Sequence, residues 1–267
     1  MAINLFDTCK KEKDTYYVSF LKKGDLTKCR VEKMFSKIDG NARCAYVKIG
    51  EDVSSIKEES FVDCSVDVIV QIPRKLTNIH SRAFDLCKSI LAFEVESGNT
   101  AFKSVDGNLY SKNGKELLKY APAKKEGCFH VPAEVERLGG WSIRNSPNLT
   151  NVELPAGLTH IGWSALSLCD RLEEVFVPDG VTEIESWAFS GSSSLKVVSI
   201  PKSVVKAGYH MFQRCPADLV VYCEAISRPK DWSLSFNKNL NDGKESCVVI
   251  FGKKGEQRAR RGKQLNN

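Results

Sequence analysis

Apolar residues recur along the chain at a fixed interval of 23 residues, which is marked most clearly by Pro132, Pro155, Pro178 and Pro201. When the units are taken to begin at residues 53, 76, 135, 158, 181 and 204, positions 1, 4 and 9 are apolar in all six. A fixed period of this size is typical of repeat proteins, whose stacked units bury one continuous core. We therefore predict that these three columns form the core.

Each unit ends with an alternating pattern that predicts a short strand. Positions 18 and 20 are apolar, as in Val152 and Leu154, so one face of the strand points inward. A proline often follows at position 21, and it ends the strand because it has no N–H donor. One such strand per coil predicts a repeat solenoid, mainly β with short helical turns, in which the short strands form a parallel sheet.

The pattern divides the chain into four parts. Residues 1–43 are expected to form an N-terminal cap with a β-hairpin around residues 22–25, and residues 44–225 the solenoid. The period is broken at about 99–127, where Asp106-Gly107 and Asn113-Gly114 are typical of tight turns and predict an inserted hairpin. Residues 226–252 are expected to cap the C-terminal end, and residues 253–267 to form a disordered basic tail.

The units resemble the BspA-type leucine-rich repeat. The resemblance is carried by the segments IHSRAFDLCKSI (79–90), IGWSALSLCDRLEEVFVP (161–178) and IESWAFSGSSSLKVVSIP (184–201), and it covers about residues 44–252. The insertion and the segment VVYCEAISRPKDW are also similar to parts of this family. The resemblance implies a leucine-rich-repeat right-handed coil, capped at both ends, and binding of proteins or surfaces, including adhesion in exported members. It implies no reaction, and a fold alone does not name a ligand.

Composition supports a folded chain, because 42% of the 267 residues are hydrophobic and 27% are charged. The net charge of +6 comes mostly from the tail, where residues 252–267 hold six basic residues and one acid. The basic balance therefore describes the tail and not a binding face. Association of this tail with nucleic acid is an alternative function, but it is not the one we expect.

The first residues, MAINLFDTCKKEKD, lack the basic region and apolar run of a signal peptide. No apolar stretch approaches the roughly 18 residues of a membrane span. We therefore expect a cytoplasmic protein, or a cell-surface or secreted one if a leader has been removed. The oligomeric state is left open.

The cysteines and histidines do not form a recognisable site in the sequence. Four of the ten cysteines (Cys64, Cys87, Cys169 and Cys215) occupy position 12, which holds serine in other units, so this column is expected to contain small buried residues. There is no C-x-x-C, and the four histidines lie in different columns without a catalytic motif. We expect no catalytic residues, no metal site and no cofactor. Whether Cys223 and Cys247 pair is left open.

Positions 17 and 19 should face solvent, because positions 18 and 20 face the core. The residues selected from these rows as a binding face are Glu94, His130, Asn151, Glu153, Glu174, Phe176 and Tyr222. Exposed aromatic residues with an acidic surround resemble the anchor of a protein interface. We therefore expect a non-catalytic module that binds another protein, with an adhesin for a host protein or glycan as the alternative.

An aromatic column lies elsewhere in the repeat. It consists of Trp141, Trp163, Trp187 and Tyr209, at positions 6 and 7. Such a column either stacks on sugars or packs along itself, and packing is the favoured interpretation.

Overall fold

The computed structural model describes residues 7–39, 41–61, 64, 66–85 and 87–255. These residues form a parallel β-solenoid of about eight turns with little helix, as the repeat pattern predicts. The strands are β1 (Thr8–Glu12), β2 (Thr15–Phe20), β3 (Gly24–Leu26), β4 (Cys44–Ile49), β5 (Val53–Ile56), β6 (Asp67–Ile72), β7 (Ile90–Val95), β8 (Phe102–Val105), β9 (Asn108–Ser111), β10 (Glu116–Lys119), β11 (Cys128–His130), β12 (Arg137–Leu138), β13 (Asn151–Glu153), β14 (His160–Ile161), β15 (Glu174–Phe176), β16 (Glu183–Ile184), β17 (Val197–Ile200), β18 (Lys206–Ala207), β19 (Val220–Cys223) and β20 (Val248–Phe251). The described residues contain one α-helix, α1 (Lys28–Phe35).

The predicted strands at the end of each unit form two separate sheets. The N-terminal sheet has the order β1-β2-β4-β6-β7 and is parallel except for the β1–β2 hairpin. The C-terminal sheet has the order β11-β13-β15-β17-β19-β20 and is parallel throughout. Within it, His130 lies opposite Glu153 and Phe176 opposite Ser199, because units of constant length bring equal positions together. Side chains of one column therefore stand side by side along the solenoid.

A second, narrower sheet runs along another side of the coil. Its two-residue strands β12, β14, β16 and β18 come from positions 3 and 4 of each unit. The insertion extends this side sheet with β8, β9 and β10, so it contributes three strands where a hairpin was expected. Both predicted turns form, with Gly107 and Gly114 at positive φ of 71° and 78°. The additional strand arises because the chain reverses at both turns.

The predicted core columns are buried, apart from the half-buried Ile79 at position 4. Four of the six residues at position 9 are phenylalanines, and their rings pack in the pairs Phe61–Phe84, with centroids 5.2 Å apart, and Phe189–Phe212, at 5.5 Å. Residues at position 12 are small and buried, apart from the half-buried Cys215. The burial of these columns confirms that the repeat pattern identifies the core residues.

The N-terminal segment folds differently from the expected hairpin around residues 22–25. The hairpin that forms is β1–β2, and β2 already pairs in parallel with β4. Residues 28–35 form α1 because Val31 and Met34 are three residues apart and bury one face, which is a helical spacing. The parallel stack thus begins at Thr15, one coil before the expected start at residue 44.

The C-terminal end continues the stack in the same way. Strand β20 adds to β19 in parallel, and Trp232 bridges to Ala207 in the side sheet. The Trp232 Nε1 donates a hydrogen bond to the Val204 carbonyl at 3.0 Å, which closes the end of the core. All ten cysteines lie in the described residues and no disulfide joins them, so Cys223 and Cys247 are not paired. Residues 256–267, most of the expected basic tail, lie outside the described residues.

Candidate binding face

The outward surface of the C-terminal sheet, called here the outer face, holds most of the residues selected from the sequence. One row is formed by position 17 and the next by position 19, and neighbouring strands lie about 4.8 Å apart. Six of the seven selected residues stand in these two rows: His130, Asn151, Glu153, Glu174, Phe176 and Tyr222. The structure therefore brings them onto one surface.

Glu94 is the exception. It lies on β7, in the N-terminal sheet, where it is exposed and accepts a hydrogen bond from the Gln71 side chain at 2.9 Å. In the described residues, no strand pairing joins β7 to β11. The inserted strands β8, β9 and β10 lie between them in the sequence and belong to the side sheet. Glu94 is therefore not part of the outer face.

The outer face is polar at its first strands. The side chains of His130 and Glu153 are 70% and 48% exposed, and His130 Nε2 lies 3.2 Å from Glu153 Oε2. Asn151 is half-buried between them and Cys128, whose thiol shares the same surface. Cys128 was not among the residues expected to form the binding face, although position 17 was predicted to face solvent.

Toward its C-terminal end the outer face becomes apolar. Phe176, Val197, Val220 and Ile250 are half-buried, and Val248 is 50% exposed. The valines belong to the predicted outward rows, and β20 extends the same rows by one more strand. The result is a contiguous apolar surface beside the acidic side chains of Glu153 and Glu174.

The last described residues, 253–255, lie against the outer face at Ser199 and Tyr222. The Gly255 N–H donates to Ser199 Oγ at 3.2 Å, and a Cβ added at Gly255 would lie 3.1 Å from the Tyr222 ring. Lys254 pairs with Glu224 at 3.0 Å, and this hydrogen bond raises the pKa of Lys254. Gly255 therefore covers Ser199, which is buried, and part of Tyr222, which is half-buried although it was expected to be exposed. Phe176, also expected to be exposed, is half-buried as well.

The aromatic column lies away from the outer face, on the turns, and three of its rings, Trp163, Trp187 and Tyr209, contact one another. Tyr209 meets Trp163 edge-on with centroids 5.4 Å apart and Trp187 at 6.3 Å, while the Arg82 guanidinium lies 5.8 Å from the Trp141 ring centre. Tyr209 itself is 40% exposed. These contacts favour packing along the column over stacking on a sugar.

A groove over the N-terminal sheet was not expected from the sequence. It has a volume of about 740 Å³, and its lining includes Tyr17 and Tyr46, whose rings stack with centroids 5.6 Å apart. Lys124 and Lys125 of the insertion border it. Tyr46 stands in the outward position-17 column of an incomplete unit, which is the signal that could have indicated this surface.

Two cysteines of the turn column, Cys169 and Cys215, offer little chemistry. Burial raises the pKa of Cys169 and of Cys215 to about 12. Both thiols therefore stay protonated near neutral pH, and the protonated thiol is a poor nucleophile. This agrees with a structural role for these two cysteines.

Comparison with known proteins places the chain in a family. A family model described as the BspA type leucine-rich repeat region matches six copies over residues 16–114 and 125–241, so the chain belongs to this family. Proteins with this fold commonly mediate protein interaction or surface binding and are generally non-catalytic, and BspA-type members are often surface-associated. In the described residues, no helix has the length and hydrophobicity needed to cross a membrane.

Solved structures share the fold. The pneumococcal vaccine antigen PcpA is 21% identical with a TM-score of 0.64, and the alignment covers 80% of this chain and 61% of PcpA. A leucine-rich repeat protein from Eubacterium ventriosum is 18% identical with a TM-score of 0.57, with 80% and 74% of the two chains covered. The chain thus spans less than two thirds of PcpA. No functionally curated protein matches the chain.

Proposed function

We propose that the protein binds another protein through the outer face. The observation that carries this proposal is the contiguous apolar surface formed by Phe176, Val197, Val220, Val248 and Ile250. Extended apolar patches on a folded protein commonly mark interaction sites, whereas single apolar residues do not. Parallel strands in exact register also hold these side chains rigidly, which lowers the entropy cost of binding.

The charges beside the patch indicate the chemistry of the partner. Glu153 is exposed and Glu174 is half-buried, and both border Phe176. Two other acidic side chains, Asp179 and Glu224, already form ion pairs with Lys254 of this chain. A partner that inserts an apolar side chain at Phe176 and places lysine or arginine beside Glu153 and Glu174 would complement this surface.

The proposal is tested with the full chain as bait for proteins of the source cell, followed by affinity measurement with each purified candidate. Phe176→Ala is the principal variant, because Tyr222 also supports residues 253–255. Loss of a central aromatic anchor costs about 2 kcal/mol or more, or about 30-fold in Kd. Glu153→Gln with Glu174→Gln should weaken binding further and reduce its dependence on salt.

Matched variants on the other two surfaces serve as controls. Tyr209→Ala alters the aromatic column and Tyr46→Ala alters the groove, and neither should change the affinity. Unchanged binding by Phe176→Ala would refute the proposal, and loss on Tyr46→Ala would transfer the function to the groove. Binding to glycans or intact cells without a protein partner would favour an adhesin. Salt-sensitive nucleic-acid binding lost on removal of residues 253–267 would favour the tail.

A further inference from the structure

Cys128, His130 and Glu153 bring a thiol, an imidazole and a carboxylate together at the first two strands of the outer face. Cys128 and His130 are two residues apart on β11 and so point to the same side, and Glu153 lies opposite His130 on β13. One donor atom from each of the three lies within 4.8 Å of the other two. The group is therefore built by the register of the sheet.

The distances between these donors match those around a tetrahedral metal ion. Bond lengths to zinc of about 2.3 Å for sulfur, about 2.0 Å for nitrogen and about 2.1 Å for oxygen place tetrahedral neighbours about 3.5 Å (S–N) and about 3.4 Å (N–O) apart. Here Cys128 Sγ lies 3.9 Å from His130 Nε2, and Nε2 lies 3.2 Å from Glu153 Oε2. These two separations lie within a few tenths of an ångström of the tetrahedral values, and one donor atom of Glu153 lies within 4.8 Å of the Cys128 sulfur.

We propose that this cluster binds a divalent transition metal of the zinc class, through Cys128 Sγ, His130 Nε2 and a carboxylate oxygen of Glu153. A thiolate with an imidazole selects zinc and its neighbours, whereas magnesium and calcium prefer oxygen ligands alone. The side chain of His130 is 70% exposed, so a fourth position is open to water or to a donor from a bound molecule. This site shares Glu153 with the proposed protein-binding face, but metal binding by the isolated chain requires no protein partner, and Cys128→Ser tests it without changing Glu153.

Asn151 is a positioning residue for this cluster. Its Nδ2 donates to Cys128 Sγ at 3.2 Å and lies 3.5 Å from Glu153 Oε1. The hydrogen bond to sulfur holds the Cys128 side chain beside the other two donors. The bond to Oε1 orients the carboxylate and leaves Oε2 for the ion. Hydrogen bonds of this kind typically change metal affinity by about 10- to 100-fold.

The test uses the reduced, metal-free full chain. Titration with Co²⁺ should give one equivalent of thiolate-to-cobalt charge-transfer absorption, and Zn²⁺ should displace it and compete with a chromophoric chelator. Cys128→Ser should abolish the band, and His130→Ala or Glu153→Gln should each weaken zinc binding by about tenfold or more. Asn151→Ala should keep the band but weaken zinc binding by about tenfold or more, because the Cys128 sulfur and the Glu153 carboxylate lose a contact that positions them.

Cys29→Ser is the matched control, because Cys29 is an exposed thiol on α1, remote in sequence from the cluster. It should leave both the band and the zinc affinity unchanged. Absence of the charge-transfer band in the wild-type protein would overturn the proposal. A band that survives Cys128→Ser, or that disappears in Cys29→Ser, would also overturn it, because the metal would then be held by other thiols. Circular dichroism of each variant verifies that the solenoid remains folded.

Discussion

Replacement of Lys119 by methionine is expected to change how the stability of the protein depends on pH. Lys119 ends β10 of the insertion and is only 2% exposed. Its Nζ donates to the Trp141 carbonyl at 2.9 Å and to the Arg144 carbonyl at 3.3 Å, which ties the insertion to the following coil. Burial lowers the pKa of Lys119 to about 8, although the charge of Asp85 partly opposes the shift.

The sign and size of the effect follow from this pKa. Below pH 8 the lysine is protonated in both the folded and the unfolded chain, so it adds no pH dependence. From about 8 to the ordinary value of 10.5, the folded chain loses a proton that the unfolded chain keeps, and the free energy of unfolding rises with pH. At about 1.4 kcal/mol per pKa unit, the full rise is about 3 kcal/mol.

The assay is denaturant unfolding of the wild type and Lys119→Met, under reducing conditions, at several values between about pH 7 and about pH 10. The difference between the two proteins cancels contributions common to both, such as the phenol of Tyr110, whose pKa burial raises to about 12. Relative to the variant, the wild type should gain about 2–3 kcal/mol over this range.

Lys112→Met provides the control, because Lys112 is an exposed lysine of the same insertion. Its stability should rise with pH as in the wild type. If the curves for the wild type and Lys119→Met remain parallel, Lys119 does not carry a lowered pKa, and the account of how the insertion is anchored is refuted.

Three further substitutions test the core, the insertion and a polar pair. Phe189→Ala removes a fully buried ring stacked on Phe212 and should lower the free energy of unfolding by about 3–5 kcal/mol, measured with denaturant. Asn99→Ala deletes a buried amide that makes four hydrogen bonds to backbone groups, and a loss of about 3 kcal/mol should appear in the same assay. A hydrogen bond from His160 lowers the pKa of Glu185. The stabilisation from this lowered pKa is present above the ordinary value of 4.5 and is lost as the pH falls. The free energy of unfolding of Glu185→Gln should therefore fall less steeply with decreasing pH in the acid range than that of the wild type.

The sequence predicts those parts of the fold in which every coil has the same length. Constant spacing sets the register, so the burial of Phe189 and the pairing of Phe176 with Ser199 both follow from the period. The first coil could not be predicted in this way, because 29 residues separate Thr15 from its partner Cys44 and they include a helix. A single irregular coil leaves no repeated pattern.

The sequence predicted which residues form the rows of the outer face, but not how exposed their side chains are. Alternation placed Phe176 and Tyr222 outward, yet the packing of Gly255 against Ser199 and Tyr222 is a contact between distant parts of the chain. No local pattern indicates such a contact. The burial of Lys119 has no local pattern either, because it depends on how the insertion returns to the solenoid.

The cluster of Cys128, His130 and Glu153 was within reach of sequence reasoning. Two residues of one strand at spacing two share a face, and the 23-residue period places position 153 beside position 130. Motifs such as C-x-x-C are linear, whereas this group forms across two strands. Comparison of equivalent positions in neighbouring repeats, rather than of residues adjacent in the sequence, identifies this group.

The proposed binding of a protein to the outer face is tested most directly by hydroxyl-radical footprinting of aromatic side chains, with and without the partner identified by the capture experiment. The account predicts that labelling of Phe176 falls on binding, whereas Tyr46 in the groove and Tyr209 in the aromatic column keep their labelling. Unchanged labelling of Phe176, with protection of Tyr46 or Tyr209 instead, would contradict it.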